Sequence, residues 1–132
     1  MSFKRFEDIN VWCEARELNK LIVVICKRTI VKMDKNWIDQ ISRSVLSVVS
    51  NIAEGNDSRS DVEFIQFLGY AKRSAAESRS QIYYAFDRGY ISKVEFDDML
   101  KRANKISKQI SALMNYLHGC RKGKRYVKAS TE

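Results

Sequence analysis

The chain has 132 residues, of which 45% are hydrophobic and 30% are charged, and it contains five glycines and no proline. A protein built from sheets needs more turn residues than this, so the composition favours a single all-α domain. The formal net charge of +8 favours acidic partners such as nucleic acid.

Further features of the sequence bear on the cellular location of the protein and on metal binding. The N-terminus has no apolar signal core, and the longest aliphatic run, residues 21–26, is far shorter than the roughly 20 residues of a membrane-spanning helix. We therefore expect no membrane partner. The three cysteines match neither a zinc spacing nor a disulfide scaffold, which favours reduced thiols and a cytoplasmic location. His118 is the single histidine, so a histidine-rich metal site is excluded, and we expect no metal and no cofactor.

Apolar residues recur at helical spacing in four segments. The first predicted helix covers about residues 8–30. Its run at residues 21–26 is apolar on all sides, which predicts either a central position or contact with a second subunit. The second predicted helix covers about residues 37–55. We expect Asn36 to be its N-cap and Gly55 to end it in the left-handed conformation.

The third and fourth predicted helices cover about residues 61–88 and 93–118. Each begins with a capping box, Ser60 with Glu63 and Ser92 with Glu95, and the third ends near Gly89. Because the connections are short, successive helices must pack antiparallel, and residues 1–118 are predicted to form an up-down-up-down four-helix bundle. Residues 119–132 are expected to form a flexible basic tail.

A polar stripe accompanies the apolar seam of the second predicted helix. Its spacing places the side chains on one helical face, opposite polar residues of the third helix. The residues concerned are Gln40, Arg43, Ser47, Asn51, Glu54, Gly55, Ser74 and Glu77. We expect Arg43 to pair with Glu77, and the stripe to fix register and oligomer state through hydrogen bonds between helices or subunits. Direct contact with a ligand or nucleic acid is the alternative.

Four motifs carry a resemblance to a known family. They are Phe6-x-x-Ile9-x-Val11-Trp12, Gln40-x-x-Arg43-x-x-x-Ser47-x-x-x-Asn51-Ile52-Ala53-Glu54-Gly55, Phe64-x-x-Phe67-Leu68-x-x-Ala71-x-x-Ser74-x-x-Glu77 and Gly89-Tyr90-Ile91-Ser92. Over about residues 3–118 the chain resembles the four-helix-bundle proteins encoded in intervening sequences of bacterial 23S ribosomal RNA genes. The resemblance implies a homopentamer with no established enzymatic activity. It extends more distantly to the accessory protein of diversity-generating retroelements, which implies RNA or DNA and a reverse transcriptase as partners.

Basic residues are concentrated late in the fourth predicted helix and in the tail. They are Lys101, Arg102, Lys105, Lys108, Arg121, Lys122, Lys124, Arg125 and Lys128. Cations at a helix C-terminus suit the helix dipole, and a tail of this kind also improves solubility. Repeated around a ring of subunits, however, they would attract a phosphate backbone with strong salt dependence.

The third predicted helix is rich in aromatic residues, with arginines among them. The residues are Phe64, Phe67, Tyr70, Tyr83, Tyr84 and Phe86, with Tyr90 just beyond and Arg73, Arg79 and Arg88 alongside. Packing in the core and at a subunit interface is the favoured interpretation. Stacking on single-stranded bases is the alternative.

No residues of the sequence form a catalytic set. An arginine and a carboxylate do not perform general acid–base chemistry without a poised donor and acceptor at a substrate pocket. The sequence therefore predicts a non-enzymatic, homo-oligomeric scaffold or nucleic-acid-binding accessory protein. The alternative function is a protein–protein interaction module without a role in nucleic-acid binding.

Overall fold

The computed structural model describes residues 5–123, with side chains described through residue 120. The elements in chain order are a 3-10 turn at Phe6–Asp8, α1 at Asn10–Cys26, α2 at Thr29–Lys32, α3 at Lys35–Asp57, α4 at Asp61–Asp87 and α5 at Lys93–Gly123. Residues 5–123 contain no strand. The predicted all-α fold is therefore confirmed.

The four long helices form an antiparallel bundle. α3 packs along α4, α4 packs along α5, and α1 closes the bundle against α3 and α5. The hydrogen bonds between α3 and α4 show the direction: the Trp37 indole donates to the Gln81 carbonyl at 2.9 Å, while Ser47 and Ser74 share a hydrogen bond of 2.8 Å. Residue numbers rise along α3 as they fall along α4, so the two helices are antiparallel, in agreement with the predicted up-down-up-down order.

One apolar face of every long helix lies in a common core. The spacing of three and four residues brings one large side chain per turn to the bundle axis. The largest buried side chains include Ile22 of α1, Ile41 and Ile52 of α3, Phe64, Leu68 and Ile82 of α4, and Ile106 and Ile110 of α5. Burying a side chain of this size stabilises the fold by roughly 1.5–3 kcal/mol.

The predicted first helix, residues 8–30, is wrong at both ends. The chain makes a 3-10 turn before α1, and α1 ends at Cys26, where Arg28 takes an extended conformation with ψ of 142°. A tertiary contact accounts for this break. The Arg28 guanidinium donates to the Tyr90 carbonyl at 2.9 Å and to the Glu95 carboxylate. The Arg28 side chain is therefore held by the turn before α5 and by the first turn of α5.

Both predicted ends of the second helix also need correction. Asp34, and not Asn36, is the N-cap of α3, because its Oδ1 accepts from the Trp37 amide at 3.1 Å. Gly55 lies inside α3, which continues to Asp57, so Gly55 is not a left-handed stop. Among the glycines within residues 5–123, Gly89 is the one that adopts the left-handed conformation, with φ of 74°. Gly55 is needed for a different reason: a Cβ there would lie 2.8 Å from Cδ1 of Phe64.

The predicted starts of the last two helices are confirmed. The Glu63 amide donates to Ser60 Oγ and the Glu95 amide donates to Ser92 Oγ, each at 3.2 Å. The side chain of Glu95 also accepts from the Ser92 amide at 2.8 Å, which completes the box. α5 runs to Gly123 and not to residue 118, so the first residues assigned to the tail are helical.

Candidate functional site

The interface between α3 and α4 contains a row of hydrogen-bonded hydroxyls. Ser47 pairs with Ser74 as described above, and one turn further along, Ser44 and Ser78 lie 2.9 Å apart and are both buried. Gln81 Oε1 accepts from the Ser44 hydroxyl at 2.6 Å. Two residues of the predicted polar stripe, Ser47 and Ser74, thus join α3 to α4. Sequence reasoning missed Ser44, Ser78 and Gln81, although Ser44 lies three residues before Ser47, and Ser78 and Gln81 lie four and seven residues after Ser74, at helical spacing.

The other half of the predicted polar stripe lies at the surface. Gln40, Arg43, Glu54 and Glu77 are all exposed. Among the described residues, Arg43 and Glu77 form no ion pair with each other. Both side chains are exposed, so solvent competes for both charges. A role for these four residues between subunits remains a prediction.

The end of the motif is packed tightly. Asn51 donates to the Ser47 carbonyl at 2.8 Å and to Ser47 Oγ at 3.0 Å, so it binds its own helix and not α4. Gly55 allows Phe64 and Phe67 to approach the backbone of α3. The adjacent Asn56 is fully buried, and neither atom of its amide has a hydrogen-bond partner within residues 5–123.

A second polar cluster ties the start of α3 to the turn before α5. Asp34 Oδ2 accepts from the Tyr90 hydroxyl at 2.6 Å and from the Tyr84 hydroxyl at 3.3 Å. The Trp37 ring meets Tyr90 edge-on at 5.5 Å. The hydrogen bond from Tyr90, followed by the one from the Trp37 amide, holds the pKa of Asp34 below its usual value.

An ion pair fastens the break after α1 to the first turn of α5. Both nitrogens of the Arg28 guanidinium contact the Glu95 carboxylate, and the two side chains are about one-third exposed. This hydrogen bonding, together with the Ser92 amide, lowers the pKa of Glu95 to about 2. Like the Asp34 cluster, this pair joins segments of the fold, and its two side chains also line a surface pocket with Val24 and Met99.

The predicted basic residues lie along the outer face of α5. Lys101, Lys105 and Lys108 are exposed, and Arg102 is half-buried. Arg102 pairs with Asp98 at 3.0 Å, and Lys105 pairs with Glu14 of α1 at 3.1 Å. Lys101 and Lys108 make no ion pair with any acid in the described part of the chain.

Part of the predicted basic surface cannot be placed. Arg121 and Lys122 belong to the last turn of α5, and their side chains lie outside the described residues. Lys124, Arg125 and Lys128 lie outside the described residues altogether, as does the remainder of the predicted tail.

A metal site needs clustered ligands and a membrane-spanning helix needs a long apolar segment, and neither feature occurs within the described residues 5–123. No group of three or more His, Cys, Asp or Glu side chains in that part of the chain could hold a metal ion. None of the helices in the same range combines the length and apolar character needed to cross a bilayer.

The fold and its polar clusters define an antiparallel four-helix bundle whose internal hydroxyls join helices and whose outer face on α5 is basic. The chain belongs to the 23S rRNA-intervening sequence protein family, whose family model matches residues 7–112. The match covers the motif at residues 50–55 and the basic residues of α5 from Lys101 to Lys108, and it ends before Arg121 and Lys122.

A solved structure supports the fold. The crystal structure of a protein with unknown function from the S23 ribosomal protein family of Bacteroides thetaiotaomicron is similar, with a TM-score of 0.71 and 22% identity. The similarity covers 79% of this chain and 97% of that one. None of the curated proteins is similar enough in sequence to match this chain.

Proposed function

We propose that the protein is a non-enzymatic, homo-oligomeric binding protein of the cytoplasm that holds nucleic acid, RNA in the first place, through its phosphates. The observation that carries this proposal is the outer face of α5, where Lys101 and Lys108 are exposed and make no ion pair with any described acid. When such cations bind phosphates, counterions condensed on the nucleic acid are released, which favours binding. This contribution does not depend on the nucleotide sequence.

Neighbouring charges support this assignment. Asp97 lies one turn before Lys101 on α5, and Lys93 pairs with it at 3.0 Å. Arg102 and Lys105 offset the charges of Asp98 and Glu14, so Lys101 and Lys108 give the face an excess of positive charge. The net charge of the whole chain, +8, has the same sign. Long-range attraction for a polyanion follows from this excess.

Assembly would repeat the basic face. Val24 of α1 is 61% exposed and Leu46 of α3 is 55% exposed, which are large apolar side chains to leave in water. We infer that such side chains are covered in a homo-oligomer, and the family resemblance makes a pentamer the expected number. A ring of five copies would bind one nucleic acid at several points, which raises the overall affinity.

The experiment compares two double variants with the same change in charge. Lys101→Gln/Lys108→Gln removes two cations of the basic face. The control, Lys32→Gln/Lys35→Gln, removes two exposed cations away from α5, at the end of α2 and the start of α3. We expect the first variant to bind a labelled RNA at least tenfold more weakly than the second at about 50 mM salt, with a salt slope smaller by about 1.4. Equal binding by the two variants would contradict the proposal.

A truncation and a mass measurement complete the test. A chain ending at Gly123 lacks the cations Lys124, Arg125 and Lys128, and we expect weaker binding with a smaller salt slope. Light scattering should return an oligomer for the full chain. A stable monomer would contradict the proposed assembly.

A second candidate function is a protein–protein interaction module, with a reverse transcriptase or another protein as partner. The observation in its favour is a set of exposed apolar side chains at one end of the bundle. Met33 is 89% exposed and Val94 is 79% exposed. Recovery of one protein partner from a nuclease-treated lysate, lost in Met33→Ser/Val94→Ser, would favour this function.

A further inference from the structure

Tyr83 of α4 is an aromatic side chain that lies outside the buried core. It is 50% exposed, and its hydroxyl makes no hydrogen bond with any residue in the described range 5–123. Its ring meets the ring of Phe96 at 5.1 Å and an angle of 70°. Phe96 is itself buried and stacks on Phe86 at 4.5 Å. Phe96 therefore fixes the orientation of the Tyr83 ring, while the exposed part of the ring faces solvent.

The other exposed tyrosines of α4 have partners. The guanidinium of Arg73 lies 5.0 Å from the centre of the Tyr70 ring, and that of Arg88 lies 4.6 Å from the centre of the Tyr84 ring. Tyr84 also donates its hydroxyl to Asp34. These rings are occupied by cation–π contacts within the chain. Tyr83 has no such cation over its ring among the described residues.

Tyr83 also stands beside the basic face of α5. Arg79 lies one turn before it on the same side of α4, because residues four apart share a helical face. The Arg79 guanidinium donates to Asn104 Oδ1 of α5 at 3.4 Å. Asn104 falls between Lys101 and Lys108, which are separated by about 10 Å along the helix axis. The contact between Arg79 and Asn104 thus brings the aromatic ring of α4 and the lysines of α5 to one surface.

A fixed aromatic ring beside a row of cations is the arrangement that binds single strands. Every base presents a flat face on which an aromatic ring can stack, and cations alongside hold the backbone. In a duplex the bases are already stacked on one another, so a side chain on a convex helical surface does not reach them. We propose that Tyr83 stacks on an unpaired base and that this surface prefers single-stranded nucleic acid to duplex. This inference rests on the proposed function and names the form of nucleic acid that the same site takes.

The test measures the binding of two probes to the full chain and to three variants. The probes are a labelled oligouridine strand and a labelled RNA duplex of the same length. We expect the wild-type protein to bind the strand more tightly than the duplex. Tyr83→Leu should bind the strand at least fivefold more weakly and the duplex with less than a twofold change. Tyr83→Phe keeps the ring and should bind the strand as the wild type does.

Tyr70→Leu is the matched control, since it removes an exposed tyrosine of the same helix whose ring is covered by Arg73. We expect it to bind both probes as the wild type does. Unchanged duplex binding by Tyr83→Leu also serves as the control for folding.

The outcomes separate this inference from the proposed function. If Tyr83→Leu binds the strand normally while Lys101→Gln/Lys108→Gln does not, stacking is refuted and the phosphate-binding function stands. Equal affinity of the wild type for strand and duplex likewise refutes the preference. If the wild type binds neither probe but binds polyglutamate, both proposals fail and the basic face serves an acidic polypeptide.

Discussion

The hydroxyls of Ser44 and Ser78 lie 2.9 Å apart in the buried interface between α3 and α4, 34 residues apart in the chain. Ser44 also donates to Gln81, and the Ser78 hydroxyl lies 2.9 Å from the Ser74 carbonyl. The contact between the two hydroxyls forms only in one register of the helices. Sliding α4 by one residue would break it, together with the bond to Gln81, and leave each hydroxyl only a carbonyl of its own helix.

Removing either hydroxyl should therefore destabilise the bundle, and removing both should cost less than the sum. We expect Ser44→Ala and Ser78→Ala each to lower the free energy of unfolding by about 1 kcal/mol, because each removes a buried hydrogen bond between the helices. The double variant should fall short of additivity by about 0.5 kcal/mol or more. Urea denaturation measures all three. Ser80→Ala, at an exposed position of α4, should change stability by less than about 0.5 kcal/mol. Strict additivity would contradict the pairing.

Two glycines of the bundle should respond to alanine with opposite signs. A Cβ at Gly55 would lie 2.8 Å from Cδ1 of Phe64 and 3.0 Å from Cβ of Phe67, whereas a Cβ at Gly69 meets nothing within 4 Å. Both positions are helical, so alanine gains about 1 kcal/mol of helix propensity at each. We expect Gly69→Ala to stabilise the protein and Gly55→Ala to destabilise it by about 1–2 kcal/mol through overpacking. Thermal unfolding checks this, and two shifts of the same sign would count against the close approach.

The N-cap of α3 offers a similar contrast. Asp34→Ala removes the cap of the Trp37 amide and the acceptor of the Tyr90 hydroxyl, so we expect a loss of about 2 kcal/mol. Asn36→Ala changes an exposed residue in the first turn and should stay within about 0.5 kcal/mol. Urea midpoints at equal slope measure the difference. A larger effect at Asn36 would restore it as the cap.

The pair of Arg28 and Glu95 should make stability depend on pH in the acid range. The folded-state pKa of Glu95 is about 2, below the ordinary value of 4.5, so the pair contributes fully above pH 4.5 and its contribution is lost as the pH falls towards 2. Because both side chains are about one-third exposed, the contribution is modest, about 1 kcal/mol. The stability difference between wild type and Glu95→Gln should therefore shrink across that range.

Glu63→Gln is the matched control for this measurement, since Glu63 has the same place in a capping box but no ion pair with an arginine within residues 5–123. At neutral pH we expect it to lose less stability than Glu95→Gln. A difference between Glu95→Gln and wild type that stays constant down to about pH 2 would show that the arginine does not perturb the carboxyl.

Much of the fold could be predicted from local patterns. The helical spacing of apolar residues and the two capping boxes determine the starts of α4 and α5, because a cap acts within four residues of the chain. Gly89 was likewise recognisable, since a left-handed residue after a helix is a local requirement. Short connections then left an antiparallel order as the available arrangement.

The candidate site was only partly predictable. The exposure of Lys101 and Lys108 follows from their place opposite the apolar seam of α5. The role of Tyr83 does not follow from sequence, because Tyr70, Tyr83 and Tyr84 look alike there. Which ring is covered depends on contacts with Arg73, Arg88 and Asp34, and these became visible only in the packed helices.

The sequence by itself determined the presence of the four long helices, their order and the sign of the outer face, since periodicity, caps and charge act over a few residues. Tertiary structure decided where α1 breaks, which residue caps α3 and why Gly55 is a glycine. The first depends on Glu95, the second on Tyr90 and Trp37, and the third on Phe64. Glu95, Tyr90 and Phe64 reach their places only when another segment of the chain packs against the residue concerned, so the local sequence does not predict these contacts.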